Sequence, residues 1–331
     1  MKSLRAFLKI SAGALTGYTL AQFSWVFWQL ARIDPYLTLL LPQNKAPRGK
    51  TFTRQEEHPQ YAVHHVVEDG IERVSYFPRQ RRFSTPLLMQ HGMFHGAWCW
   101  AGWQALLAEW GWESHAISLP GHGRSPMQRP IRKCTLDYYL AFLRDASEQM
   151  ESSPVLVGHS MGGALVQWYI RYVEPPPAAV FVASWVADSV LRDGLPLLLK
   201  QDPAIVPSML VSWDASSWIR TPQRAAEKFL GPQASIDPDE FQRSLGPESA
   251  LVLAHHNPPF WSPPRKLLPP SLWLAGELDT VVSVTGLRRS ARIMQGDFSL
   301  IPGAGHNMML ETDFQRPAEI LHEWLVACRI P

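Results

Sequence analysis

One ten-residue stretch, Pro154-Val155-Leu156-Val157-Gly158-His159-Ser160-Met161-Gly162-Gly163, constrains this chain more than any other. An apolar run ends at a serine with a glycine two positions to either side. From Ala164 to Val173 the apolar residues then recur at helical spacing. The pattern is that of a buried strand turning abruptly into a helix, a nucleophile elbow. So sharp a turn forces the serine backbone into a strained conformation and brings neighbouring chain so close that only glycine fits at Gly158 and Gly162. The Ser160 hydroxyl is left at a helix N-terminus, where backbone N–H groups and the helix dipole stabilise negative charge.

Around this stretch the chain alternates strand, loop and helix. Tyr61 to Glu68 and Ile71 to Phe77 flank Asp69-Gly70, a pair that supplies the positive φ angles of a tight hairpin. Strands follow at Thr85 to Gln90, Glu113 to Leu119, Ala178 to Ser184, Ser271 to Ala275 and Asp297 to Ile301. Helices are expected over Trp98 to Trp110, Leu136 to Met150 and Pro317 to Cys328. This alternation predicts an α/β fold with a mostly parallel sheet covered on both faces. Between Trp185 and Leu268 the rhythm stops, and Trp213, Trp218, Phe229, Phe241, Phe260 and Trp261 mark a helical cap inserted after a strand. The expected division is 1–31 for an N-terminal membrane anchor or signal segment, 32–60 for a tether, 61–185 for the first part of the core, 186–268 for the cap and 269–331 for the second part.

The N-terminal expectation rests on Lys2, Arg5 and Lys9, followed by an uncharged run from Ile10 to Ala31. At about 1.5 Å per residue this run is long enough to cross a hydrocarbon core of roughly 30 Å. It predicts a single-pass transmembrane helix with the globular domain on the non-cytoplasmic side, or a secreted or periplasmic protein if the segment is cleaved, or, third, an amphipathic helix lying on the domain or on the membrane. For the rest, 331 residues at 46% hydrophobic and 18% charged suit one large domain with an insertion. A net charge of +2 without a basic stripe argues against nucleic acid as a partner. Cys99, Cys134 and Cys328 are too few and too scattered for a metal cluster, and read as buried free thiols or at most one disulfide. His255-His256 has no carboxylate or cysteine at ligand spacing.

An elbow serine needs a base for its proton and a carboxylate to orient that base. His306 lies in the glycine-lined loop Pro302-Gly303-Ala304-Gly305-His306, just after the last strand. Asp279 follows the preceding strand in Gly276-Glu277-Leu278-Asp279, with Glu277 as its neighbour in that loop and Asp188 as the choice one strand earlier. The chain order Ser160, Asp279, His306 is the one such elbows use. A developing oxyanion also needs preorganised donors. The Met161 N–H is one candidate, and the Met93 N–H in His91-Gly92-Met93-Phe94-His95-Gly96-Ala97-Trp98 is the other.

Taken together, His91-Gly92, Leu119-Pro120-Gly121-His122-Gly123-Arg124-Ser125, the Ser160 elbow, Gly276-Glu277-Leu278-Asp279 and Gly305-His306 resemble the α/β-hydrolase fold superfamily over residues 61 to 331. The segment from Leu119 to Ser125 is similar to a structural turn of bacterial esterases and monoacylglycerol-lipase-like enzymes, with Ser118 where many relatives carry Asp. The segment from His91 to Trp98 resembles a loop of plant methyl esterases and hydroxynitrile lyases. The resemblance implies ester hydrolysis through an acyl-enzyme by a Ser-His-Asp triad, with no cofactor and no metal. Acyl lipids are the expected substrates, from the apolar cap and the expected membrane segment. Thioesterase, hydroxynitrile-lyase-like and perhydrolase chemistry, or ligand binding alone, are the alternatives such a fold carries.

Overall fold

The computed structural model describes residues 21–203, 208–209, 212–232, 234 and 236–331. Nine strands form one sheet: β1 (Lys50–Glu57), β2 (Tyr61–Glu68), β3 (Ile71–Pro78), β4 (Leu87–Gln90), β5 (Ser114–Ser118), β6 (Val155–His159), β7 (Ala179–Val182), β8 (Ser271–Gly276) and β9 (Asp297–Ile301). Their spatial order is β1-β2-β3-β5-β4-β6-β7-β8-β9. The first three strands and β5 pair antiparallel, and from β5 to β9 all neighbours are parallel. Asp69 at φ 50° and Gly70 at φ 72° close the β2–β3 hairpin.

Strands β4 to β8 are buried on both faces, and their side chains alternate between two cores. Leu88, Leu156 and Phe181 face one core; Leu87, Met89, Val155, Val157 and Val180 face the other. The first core is closed by α4 (Leu136–Glu148), α5 (Met161–Tyr172) and α10 (Val284–Ile293), the second by α3 (Ala101–Glu109) and α11 (Gln315–Ala327). β4 is flanked by β5 on one side and β6 on the other, so the chain leaves the tips of β4 and β6 in opposite directions. Ser160 follows β6 at that switch point, where open α/β sheets bind their ligands.

Between β7 and β8 the chain forms α6 (Val190–Gln201), α7 (Pro222–Phe229), α8 (Pro238–Ser244) and α9 (Ala250–His255). Each opens on a side chain that accepts a backbone N–H: Ser189, Thr221, Asp237 and Ser249 in turn. Proline follows at the first helical position of α7 and α8, where its missing N–H has no helical partner to lose. Cap and core meet through Glu248, which is fully buried. It accepts from Tyr139 Oη (3.0 Å) and the Ser249 N–H (2.7 Å) and lies 3.2 Å from His122 Nε2.

The N-terminal expectation needs correction. Among the described residues no helix is long and apolar enough to cross a membrane, which overturns the single-pass anchor and the placement of the domain on the non-cytoplasmic side. Residues 1–20 of that expectation lie outside the described residues. Residues 21–31 are helical (α1) and dock on the cap. Val26 and Leu30 are buried, Trp213 Nε1 donates to Gln22 Oε1 (2.7 Å), and Phe27 packs on Phe260. Part of the apolar content that read as a spanning run is thus spent on protein contacts.

The stretch read as a tether is structured too. Asp34 caps α2 (Pro35–Leu40) by accepting from the N–H groups of Tyr36 and Leu37. Thr38 Oγ1 donates to Asp137 Oδ2 (2.6 Å), and β1 extends the sheet. Cys99 and Cys134 are buried free thiols and Cys328 is a half-buried one, burial pushing the Cys134 thiol up to about 12.

Candidate active site

Ser160 sits between β6 and α5 at φ 51° and ψ −118°. Close backbone approach dictates the glycines around it. A Cβ at Gly162 would meet the Gln90 carbonyl oxygen at 2.2 Å, and one at Gly158 would meet the Gly162 oxygen at 2.4 Å. A Cβ at Gly92 would stand 2.8 Å from the Ser160 Cβ, so the loop after β4 runs directly past the serine.

Asp279 and His306, read from separate loops, are brought together. His306 Nδ1 donates to Asp279 Oδ2 at 2.8 Å, with both side chains essentially buried. Asp279 Oδ1 accepts from the N–H groups of Val281 (2.7 Å) and Val282 (3.0 Å), which fixes the carboxylate. With its proton on Nδ1, the imidazole keeps a lone pair on Nε2, a buried nitrogen that makes no hydrogen bond. The competing acids are engaged elsewhere. Asp188 is held by Arg289 (both contacts 3.1 Å) and paired with Arg192, and exposed Glu277 accepts from the Gly303 N–H.

The loop after β4 is locked by side chains that carry no obvious sequence signal. His95 Nδ1 donates to the Met93 carbonyl (2.6 Å), while Asn307 Nδ2 donates to His95 Nε2 (2.8 Å). Phe94 adopts φ 68°, and its carbonyl accepts from the cap's Gly246 N–H (2.6 Å). His91 donates from Nδ1 to the Gly92 carbonyl (2.7 Å) and accepts at Nε2 from the Leu119 N–H (3.0 Å). His159 contacts the His306 carbonyl through Nε2 (3.2 Å). Burial holds all three rings neutral, lowering His95 to about 4 and His91 and His159 well below their ordinary value.

Two carboxylates near the site escaped the sequence reading. Glu72 on β3 is buried and accepts from Ser118 Oγ (2.6 Å) and the Arg124 N–H (2.9 Å). The carboxylate beside Ser118 thus comes from a neighbouring strand. Its signal was a Glu sharing a strand face with Val74 and Tyr76. Glu311, five residues after His306, is also buried, and its Oε1 accepts from Gly305 (2.7 Å) and Gly231 (3.2 Å) N–H groups. An acidic residue closing the apolar run Met308-Met309-Leu310 was the only cue.

An apolar cavity of about 840 Å³ lies between α1 and the cap, lined by Phe23, Phe27, Leu195, Leu198, Trp213 and Phe260 among others. A smaller cavity of about 40 Å³ shares Leu191, Leu195, Leu198 and Leu253 with it and reaches Trp185, Val281 and Val282. Those residues adjoin the site, for Trp185 donates its N–H to the Ser160 carbonyl (3.1 Å) and the two valines donate to Asp279.

A sheet of this order, a serine elbow at its switch point, the hydrogen-bonded Asp279 and His306 in the loops after β8 and β9 and a helical insertion after β7 together define an α/β-hydrolase fold. The chain belongs to the alpha/beta hydrolase family, whose family model matches residues 87–323. It is 28% identical over 156 residues to putative methylesterase 11, chloroplastic, of Arabidopsis thaliana, covering 46% of this chain and 37% of that protein. It is 34% identical over 105 residues to norfluorocurarine synthase 1 of Strychnos nux-vomica, covering 31% and 40%. The chain thus spans about two fifths of the length of these curated relatives. Among solved structures it resembles a membrane phospholipase A (TM-score 0.59, 18% identity, 100% of both chains) and the Paleococcus ferrophilus monoacylglycerol lipase (TM-score 0.55, 20% identity, 78% of this chain and 99% of that one). At these identities the likeness is one of fold.

Proposed function

We propose that the chain hydrolyses carboxylic esters, acyl lipids among them, through an acyl-enzyme on Ser160. The observation that carries the reading is the His306–Asp279 hydrogen bond of 2.8 Å, which leaves a buried, unpartnered Nε2 on the imidazole in a fold whose elbow presents a serine. His306 Nε2 takes the Ser160 proton as Oγ attacks the ester carbonyl. The negative charge on the carbonyl oxygen is met by the N–H groups of Met161 and Met93, and Asp279 stabilises the imidazolium. His306 then passes its proton to the leaving alcohol. A water, deprotonated by the same nitrogen, releases the acid and restores Ser160. Relatives named as methylesterases and esterases support ester hydrolysis. The apolar cavity, within the size range of small-molecule sites, supports a long acyl chain.

The test is hydrolysis of p-nitrophenyl esters from acetate to palmitate by the full chain and by Ser160→Ala. Turnover that disappears in the variant and rises with chain length is expected. Turnover indifferent to the variant overturns the serine mechanism, and a preference for acetate overturns the lipid reading.

A further inference from the structure

The end of α7 is stitched to both loops that carry the acid and the base. The Lys228 carbonyl accepts from Thr280 Oγ1 (3.4 Å), next to Asp279. The Phe229 carbonyl accepts from the Asn307 N–H (2.9 Å), next to His306 on one side. The Gly231 N–H donates to Glu311 Oε1 (3.2 Å), and the same oxygen accepts from Gly305 (2.7 Å), next to His306 on the other side. The Phe229 ring lies 5.8 Å from the imidazole, centroid to centroid.

The junction has no slack. A Cβ at Gly231 would meet Glu311 Oε1 at 2.4 Å, and one at Gly305 would meet the Gly231 backbone at 2.8 Å. Without the carboxylate two inward N–H groups lose their acceptor, one on the base loop and one on the cap. The His306 ring is bonded to Asp279, not to Glu311, so Glu311 is no second acid of the triad. Burial raises the Glu311 pKa, the two N–H groups oppose this, and the Asp279 charge raises it further.

We propose that Glu311 is a positioning residue whose side chain clamps the His306 loop and the cap segment 228–231 into one unit, so that the imidazole keeps its working orientation only while the cap is seated. The proposal rests on the ester-hydrolase reading for its kinetic consequence. Its geometric consequence stands alone.

The experiment compares Glu311→Ala, Glu311→Gln and Gly231→Ala in the full chain. It reads kcat and KM on the best p-nitrophenyl ester, and the downfield proton resonance of the His306 Nδ1–H. Glu311→Ala is expected to lower kcat by about 10- to 100-fold with KM within about threefold, the scale of a small misplacement of a catalytic group, and to broaden or abolish the resonance. Glu311→Gln keeps a carbonyl oxygen for both N–H groups and is expected to hold kcat within about fivefold, with the resonance intact. Gly231→Ala, which displaces the carboxylate from the cap side, is expected to reproduce the kcat loss with Glu311 still present. Equal loss in the Ala and Gln variants, an unchanged resonance in Glu311→Ala, or wild-type kcat in Gly231→Ala overturns the proposal. Where Glu311→Ala fails to fold, the other two variants decide it. The resonance is also read in a Ser160→Ala background, so a failed esterase reading and a failed clamp give different results.

Discussion

Ser160 holds φ 51° and ψ −118°, backbone values that cost a residue with a Cβ on the order of 1–3 kcal/mol. The elbow maintains that strain because strand and helix fix the chain on both sides. Ser160→Gly removes it and Ser160→Ala does not. The glycine variant is therefore expected to exceed the alanine variant by about 1 kcal/mol in urea unfolding, after the entropy that glycine loses on folding; equal midpoints would count against strain. Asp279 accepts two backbone N–H groups through Oδ1 and the imidazole through Oδ2. Asp279→Asn can keep the first pair, but its amide turns the imidazole to the wrong tautomer. A kcat loss of about 10⁴-fold is expected with little change in Tm, and a loss under tenfold would move the acid elsewhere. The candidates Ser160, Asp279 and His306 were legible because each follows a strand within five positions and has a glycine within three, a local mark. Asn307 and Glu311 were not, because their partners His95 and Gly231 lie 212 and 80 positions away in sequence.

Elements differ in how much of their reason is local. The elbow is set by its own glycines, so Gly162→Ala drives a methyl into the Gln90 carbonyl. A loss of about 3 kcal/mol is expected, lowering Tm by about 6–12 °C; a Tm within about 2 °C of wild type would show that β4 gives way at no cost. The cap helices could be sensed from Thr221-Pro222 and Asp237-Pro238, whose side chains and rings start a helix without outside help. β1 could not, since Lys50-Thr51-Phe52-Thr53-Arg54-Gln55-Glu56-Glu57 is a polar edge strand stabilised by its pairing with β2 rather than by a buried face. α1 misled for the opposite reason. A run of apolar residues satisfies a bilayer and a protein groove equally well, and only Trp213, Phe260 and the cap surface show which part of it meets protein.

At the scale of the molecule, burial of histidine sets the response to acid. His91, His95, His159, His255 and His256 are all buried, and burial lowers each, His95 and His255 to about 4 and His256 to about 3. Unfolding frees these rings to bind protons below about pH 6.5. The unfolded chain therefore takes up more protons than the native one between about pH 6.5 and 4. Stability is full above that window and falls as pH drops through it, by up to about 1.4 kcal/mol per pH unit for each histidine. Urea midpoints are expected to hold from pH 8 to 7 and to fall steeply from pH 6 to 4.5; a flat profile would mean the rings are not kept neutral. By itself the sequence determined the alternation of strands and helices, the serine elbow and the two loops that hold Asp279 and His306, because periodicity and glycine placement act over a few residues. Only the tertiary structure decided that Asp279 rather than Asp188 meets His306, that Glu311 joins the cap to the base loop, and that residues 21–31 line a cavity. Those outcomes depend on which distant surfaces close on one another, and sheet order, not local pattern, decides that.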